Sequence, residues 1–245
     1  MLRLSIVGTA LLTITIFATT SFSLAAEEST ATDAKWRTLF DGKTLDGWVA
    51  ERRYDFARAG KVTVRDGAIT IGQGQPGSCV RLTGKFPSDN YEIELKARRV
   101  KGDDFFCGMT FPVGDGALTL ICGGWNGEVV GLSCLDGEPA SENETANLIT
   151  FKRNRWYDIR LRTAGGKVQV WIDGKQIIDL TLGTYETSLW FEKETVLPLA
   201  IATWRTEGQV KDIRVRRVAG PVSSKPAPDE SKPQPSDGKK PVDWF

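Results

Sequence analysis

The segment GGWNGEVVGLSCLDGEPASENET, residues 123–145, gathers carboxylates, asparagines and one tryptophan among glycines. Glu128, Asp136, Glu138, Glu142 and Glu144 all fall within it, and Arg205 follows downstream in IATWRTE. If residues 141–145 are locally extended, Glu142 and Glu144 project to one side and Asn143 to the other, because side chains alternate along a strand. Carboxylates so placed repel each other, which raises the pKa of one or invites a cation. A hard ion such as Ca²⁺ would take both together with asparagine oxygens, so a divalent cation is a candidate cofactor. The same residue types also suit a solvated turn, and Asn143-Glu144-Thr145 matches a glycosylation sequon.

Two features favour a site over a turn. Glycines 123, 124, 127 and 131 let backbone and ligand approach closely. Trp125 stands between them, where a core residue would have little support. IATWRTE repeats the combination, with Trp204 beside Arg205. The candidate catalytic residues are therefore Glu142, Glu144 and Arg205, although Arg205 could equally pair with Glu142 or Glu144 as a structural ion pair. Trp125, Asn126, Asn143 and Trp204 are candidate ligand contacts. Indoles offer flat apolar faces to sugar rings, but tryptophans of β proteins also fill cores, and Trp171 and Trp190 stand under the same two readings.

Composition excludes several chemistries. The chain has no histidine, which removes Ser-His-Asp and Cys-His nucleophile systems and histidine-ligated metals. Lys and Arg number 32 against 31 Asp and Glu, interspersed without a basic stripe, so nucleic acid is not an expected partner. The four cysteines, Cys79, Cys107, Cys122 and Cys134, match no zinc spacing. Disulfides and buried free thiols both remain open, with Cys107 and Cys122 facing each other across a hairpin.

Strands must position these residues. YEIELKA alternates Tyr91, Ile93, Leu95 and Ala97 with Glu92, Glu94 and Lys96, and WYDIRLRT repeats the pattern. Asp66-Gly67 and Asp173-Gly174 between apolar runs are hairpin signals. A further hairpin joins FFCGMTF to ALTLIC through PVGDG, and VKDIRVRRV reads as a last strand slipping once near Asp212. Many short strands predict an all-β sandwich or barrel, with a two-sheet jelly roll the first choice at this size. A curved sandwich offers a concave face to an extended ligand such as a carbohydrate.

Both ends stand apart from this domain. Residues 1–26 combine Arg3, an uncharged apolar run and Ser23-Leu24-Ala25, the pattern of an export signal. The expected protein is therefore periplasmic or extracellular, with no stable membrane anchor once the signal is cleaved. Residues 219–245 are rich in Pro, Ser, Lys and Asp and predict a disordered tail. A single domain over residues 35–218 is left between them.

The opening WRTLFDGKTLDGWVA, residues 36–50, resembles the first signature of the 3-keto-disaccharide hydrolase domain family. VTVRDGAITIG, NYEIELKARRVKGDDFFCGMTFPVGDG, NRWYDIRLRTAGGKVQVWIDGKQIIDL and VKDIRVRRV extend the resemblance through residue 218. Residues 123–145 and PLAIATWRTEGQVKDIRVR look like a subgroup common in planctomycete-type bacteria. In the middle of the domain, Gly-Glu-Val-Val-Gly stands where better-understood members carry Gly-x-Glu-x-Gln-Ile-x-Asp. The resemblance implies a concanavalin-like jelly-roll β-sandwich. It also implies cleavage of glycosides oxidised to a ketone at C3, by hydrolysis or by elimination and hydration, with no strict need for histidine. The alternatives are a carbohydrate-binding module without catalysis, or a cell-surface interaction protein of the same fold.

Overall fold

The computed structural model describes residues 34–220; the expected export signal, residues 1–26, and residues 221–245 of the expected tail lie outside that range. The described residues contain β1 (Arg37–Thr38), β2 (Trp48–Ala50), β3 (Val62–Arg65), β4 (Ala68–Ile71), β5 (Gly77–Leu82), β6 (Tyr91–Lys101), β7 (Cys107–Val113) and β8 (Gly116–Gly124). They continue with β9 (Val129–Ser133), β10 (Asn147–Leu148), β11 (Tyr157–Ala164), β12 (Lys167–Ile172), β13 (Lys175–Thr181), β14 (Ala200–Trp204) and β15 (Glu207–Arg217). A 3₁₀ turn at Tyr54–Phe56 and a single helical turn, α1 (Lys193–Val196), are the helical elements among them.

The strands form two antiparallel sheets. The first runs β13-β12-β11-β6-β15-β4-β3, with β1 on β15, and the second β10-β9-β8-β7-β14-β5-β2. Face to face they make the expected jelly-roll β-sandwich. Asp66-Gly67 and Asp173-Gly174 turn the β3–β4 and β12–β13 hairpins with positive φ at each residue, as two-residue turns of this hand require. The slip near Asp212 is a bulge in β15, between Lys211 and Arg214.

Tyr91, Ile93, Leu95 and Ala97 of β6 point into the sandwich, where they meet Met109, Phe111, Leu118 and Leu120 of β7 and β8. Each such large side chain contributes about 1.5–3 kcal/mol through burial. The opening signature is structural. Leu39, Phe40 and Trp48 enter this core, and Trp48 Nε1 donates to the Leu39 carbonyl at 2.8 Å. Asp41 accepts the backbone N–H groups of Lys43 and Thr44, each at 2.8 Å, which holds the turn and keeps its carboxyl below the usual range.

The sheets differ on their outer faces. β6 and β11 carry charge outward, whereas β9 and β14 are buried throughout and β8 nearly so. Outward positions of the second sheet are small, including Gly108, Thr110, Gly131, Ala200 and Ala202. Loops cover them with a second apolar cluster of Phe56, Phe105, Ile121, Phe191, Val196 and Trp204. All four cysteines are buried free thiols, with Cys107 directly opposite Cys122 in the β7–β8 register.

Candidate functional site

The loops over the second sheet leave a cavity of about 420 Å³. Its floor is Thr119 and Ile121 of β8 and Ser133 of β9. Trp125 and Asn126 come from the β8–β9 turn, Pro139 and Glu142 from the loop after β9, and Trp190 and Phe191 from the loop before β14. Trp204, at the end of β14, and Asp104 and Phe105, just before β7, close the other side.

Each wall has a local cause. Trp125 and Asn126 adopt positive φ, 45° and 67°, in a tight turn closed by the Gly127 and Glu128 N–H groups on the Gly124 carbonyl. This leaves Trp125 43% exposed. Trp204 is 7% exposed and packs between Phe105, with ring centroids 6.1 Å apart, and Phe191, at 6.2 Å. It is thus a cavity wall more than an open platform. The roof is stitched by reciprocal backbone hydrogen bonds between Cys134 and Ser188, at 3.0 and 3.1 Å, and by Asp136 N–H to Glu186 O.

Residues 141–145 are not extended, which corrects the arrangement expected for Glu142 and Glu144. Asn143 pulls the segment into turns by donating its side-chain NH₂ to the carbonyls of Leu132 and Pro139 at 2.9 Å and Glu138 at 3.2 Å. Its side-chain oxygen accepts from the Thr145 N–H and hydroxyl at 3.1 and 2.6 Å. Asn143 is therefore a buried turn-former. Glu142 lines the cavity, while Glu144 lies against the hydroxyl of Tyr185, whose pKa it raises. The Glu142, Glu144 and asparagine set expected to hold Ca²⁺ does not assemble, because the amide oxygen is already engaged. No cluster of three or more His, Cys, Asp or Glu suited to a metal occurs among the described residues.

The other segment residues also have structural duties. Glu128 accepts from the Thr150 hydroxyl at 3.1 Å, and Asp136 caps the Glu186 N–H at 2.7 Å. Arg205 is exposed outside the cavity walls. Its φ is +47°, and its backbone carbonyl accepts from Gln73.

The residue missing from the sequence candidates is Asp104. It is half-buried in the cavity wall, and desolvation pushes its carboxyl above the usual range. The Phe105 N–H, donating to it at 2.7 Å, the Arg205 charge and the Trp125 N–H each act the other way, and neighbouring Asp103 adds to the rise. The sequence signal was the acidic pair in GDDFF at the start of a strand. Trp190, open to both readings in the sequence, and Phe191 come to this cavity through the roof pairing, which spans more than 50 residues of chain.

The cavity therefore offers two carboxylates, Asp104 and Glu142, among indole and phenyl walls, the composition of a site that grips an apolar ring face and exchanges protons at its edge. Comparison with known proteins supplies the family. No curated protein matches the chain. A Crh5 transglycosylase in complex with NAG shares the fold with a TM-score of 0.51 at 15% identity, over 78% of this chain and 89% of that one. The carbohydrate-binding module CBM66 from Bacillus subtilis gives a TM-score of 0.44 at 11% identity, over 68% and 93%. A glycosyl hydrolase family protein from Mycobacterium fortuitum gives 0.45 at 12%, over 75% and 99%. Residues 35–216 match the family described as 3-keto-alpha-glucoside-1,2-lyase-like domain, and the chain belongs to that family.

Proposed function

We propose that the protein cleaves 3-keto-glycosides in the cavity over the second sheet, with Glu142 as base and Asp104 as proton donor to the leaving oxygen. A ketone at C3 acidifies the C2 proton. Glu142 takes that proton, the C1–O bond breaks, and the departing oxygen receives the Asp104 proton. The products are an unsaturated ketone and the released alcohol. Water then adds back: its oxygen bonds to C1, Asp104 recovers a proton from it, and Glu142 returns its proton to C2. The observation that carries this reading is the desolvated Asp104 carboxyl facing the same cavity as Glu142. A carboxyl with a raised pKa retains a proton to donate nearer neutral pH. Export to the periplasm or beyond belongs to the same reading, and the N-terminus of the secreted protein checks it.

The test is an assay of a 3-keto disaccharide, its unoxidised parent and an aryl 3-keto-glycoside whose phenol needs no protonation to leave. Asp104→Asn should lose the disaccharide activity and keep most of the aryl activity; Glu142→Gln should lose both. Turnover of neither substrate by the unmodified protein would sink the proposal.

One observation favours a second reading, a binding module. No Lys or Arg is among the cavity walls, and Arg205, whose charge reaches Asp104, lies outside them. Binding of the disaccharide without turnover, unchanged in Glu142→Gln, would select that reading.

A further inference from the structure

A larger cavity, about 680 Å³, lies on the opposite side of the molecule, on the outer face of the first sheet. It is a trough running across the strands. Trp171 on β12, Arg160 on β11, Glu94 on β6, Arg214 on β15 and Thr38 on β1 succeed one another along it. With neighbouring strands about 4.8 Å apart, four strand steps give a length of about 19 Å. The volume lies within the range of about 300–1,000 Å³ usual for ligand sites.

One irregularity aims a side chain into this trough: the β15 bulge turns Asp212 into it with a φ of +55°. Trp171 reaches it by ordinary alternation, outward between the buried Val170 and Ile172 and opposite Arg160 in the β11 register. Bulges re-aim side chains and recur beside functional sites. The indole of Trp171 is half-buried, with the Arg160 guanidinium 3.9 Å from its ring centroid.

Most of the charges along the floor are matched within the protein. Lys96 pairs with Asp158, Arg214 grips Glu94 at 2.9 and 2.5 Å, and Arg160 lies 3.4 Å from Glu92. Asp41 at one end is engaged by its own turn. The lining carries the cations Lys96, Arg160 and Arg214 against the carboxylates Asp41, Glu94, Asp158 and Asp212, a slight negative excess that disfavours an anionic ligand. Each carboxylate still has about four lone-pair sites and each guanidinium five N–H groups, more than these pairs consume. Fixed planar donors and acceptors, spread along an elongated trough beside an indole, suit a chain of hydroxyl-bearing rings.

We propose that this trough is a second carbohydrate-binding site, which takes several successive residues of an uncharged glycan. It would hold a polymer on one side of the sandwich while the cavity over the second sheet engages a terminal ring. The assignment is separate from the 3-keto chemistry, because neither its residues nor its ligand requires a ketone.

The test uses the full chain carrying 5-fluorotryptophan, with the Trp171 resonance assigned through Trp171→Phe. Unoxidised maltohexaose, cellohexaose, laminarihexaose and hexagalacturonate are titrated by ¹⁹F NMR and calorimetry. At least one neutral hexasaccharide should shift the Trp171 resonance, and Trp171→Ala should weaken its binding about tenfold, as expected for loss of an aromatic anchor. Asp212→Asn, at a surface bulge, should weaken it without altering thermal stability. The proposal is overturned if no neutral hexasaccharide binds, if hexagalacturonate binds in preference, or if the shift and the loss fall on Trp125 instead. Failure here leaves the 3-keto assay untouched, since these probes carry no ketone.

Discussion

The guanidinium of Arg99 donates to the carbonyl of Gly127 at 2.6 Å, from a side chain 7% exposed. A second contact reaches the Gly123 carbonyl at 3.4 Å, so one buried cation ties both ends of the turn that presents Trp125. Gly127 has a φ of +97°, and a Cβ there would fall 2.7 Å from the guanidinium, so turn and cation fit only with glycine in place. Arg99→Lys keeps the charge but cannot span both carbonyls. The expected cost is about 1.5–3 kcal/mol, the worth of a hydrogen bond to a charged group, read from urea unfolding. The accompanying sign of a displaced turn is a change in Trp125 fluorescence.

Asn143 stabilises the turn from the other side of the cavity. Replacing it with Ala removes the three side-chain donations that tie this turn to Leu132, Glu138 and Pro139 and takes from the buried Thr145 N–H its side-chain acceptor. The expected loss is about 2–3 kcal/mol. Glu142→Gln, at an exposed neighbour, should stay within about 0.5 kcal/mol of the parent. A difference of similar size in both variants would contradict the assignment of Asn143 to the fold.

Asp104 should make the protein less stable as pH rises. Its folded pKa is raised, so between the unfolded and folded values the native state binds more proton than the unfolded chain. Stability is then full below the ordinary carboxylate range and falls as pH climbs through the raised value. Asp104→Asn lacks this term. It should exceed the parent in melting temperature at neutral pH, and the advantage should shrink on acidification. A neutral-pH melting temperature equal to the parent's would remove the argument for a desolvated carboxyl.

Trp125 and Trp204 should separate cleanly. Trp204→Ala opens a hole between Phe105 and Phe191 and is expected to cost about 3–5 kcal/mol, as for other buried aromatics. Trp125→Ala, at an exposed turn, should leave stability nearly unchanged and reduce kcat/KM for a 3-keto disaccharide about tenfold, as for an aromatic contact anchor.

The sandwich was legible because its signals are local. Asp66-Gly67 and Asp173-Gly174 turn where positive φ is needed, and the alternation of Tyr91, Ile93, Leu95 and Ala97 gives both the strand and its buried face. The site was legible in part. Trp125, Asn126, Glu142 and Trp204 do meet around one cavity. Glu144 and Asn143 were misread because alternation was assumed where an asparagine side chain satisfies backbone groups in a turn. Asp104 and Phe191 were missed, and Trp190 was left between core and sugar contact, because segments distant in sequence meet at the cavity, in part through pairings such as Cys134 with Ser188. Local periodicity carries no information about such partners.

A sheet with an apolar layer on each side is an insulating wall. The roof loops and their cluster can open or be rewritten while the sandwich keeps Tyr91, Phe111, Leu118 and Leu120 packed on the far side. Amide exchange should therefore fall into two tiers, the roof opening at low cost and the shared strands only with global unfolding. Seen over generations of mutation, the same partition separates the risk of changing ligand preference from the risk of losing the fold. Substitutions that reshape the roof around Pro139 and Trp190 draw on a local reserve of stability, and the scaffold beneath stays fit to be tried again.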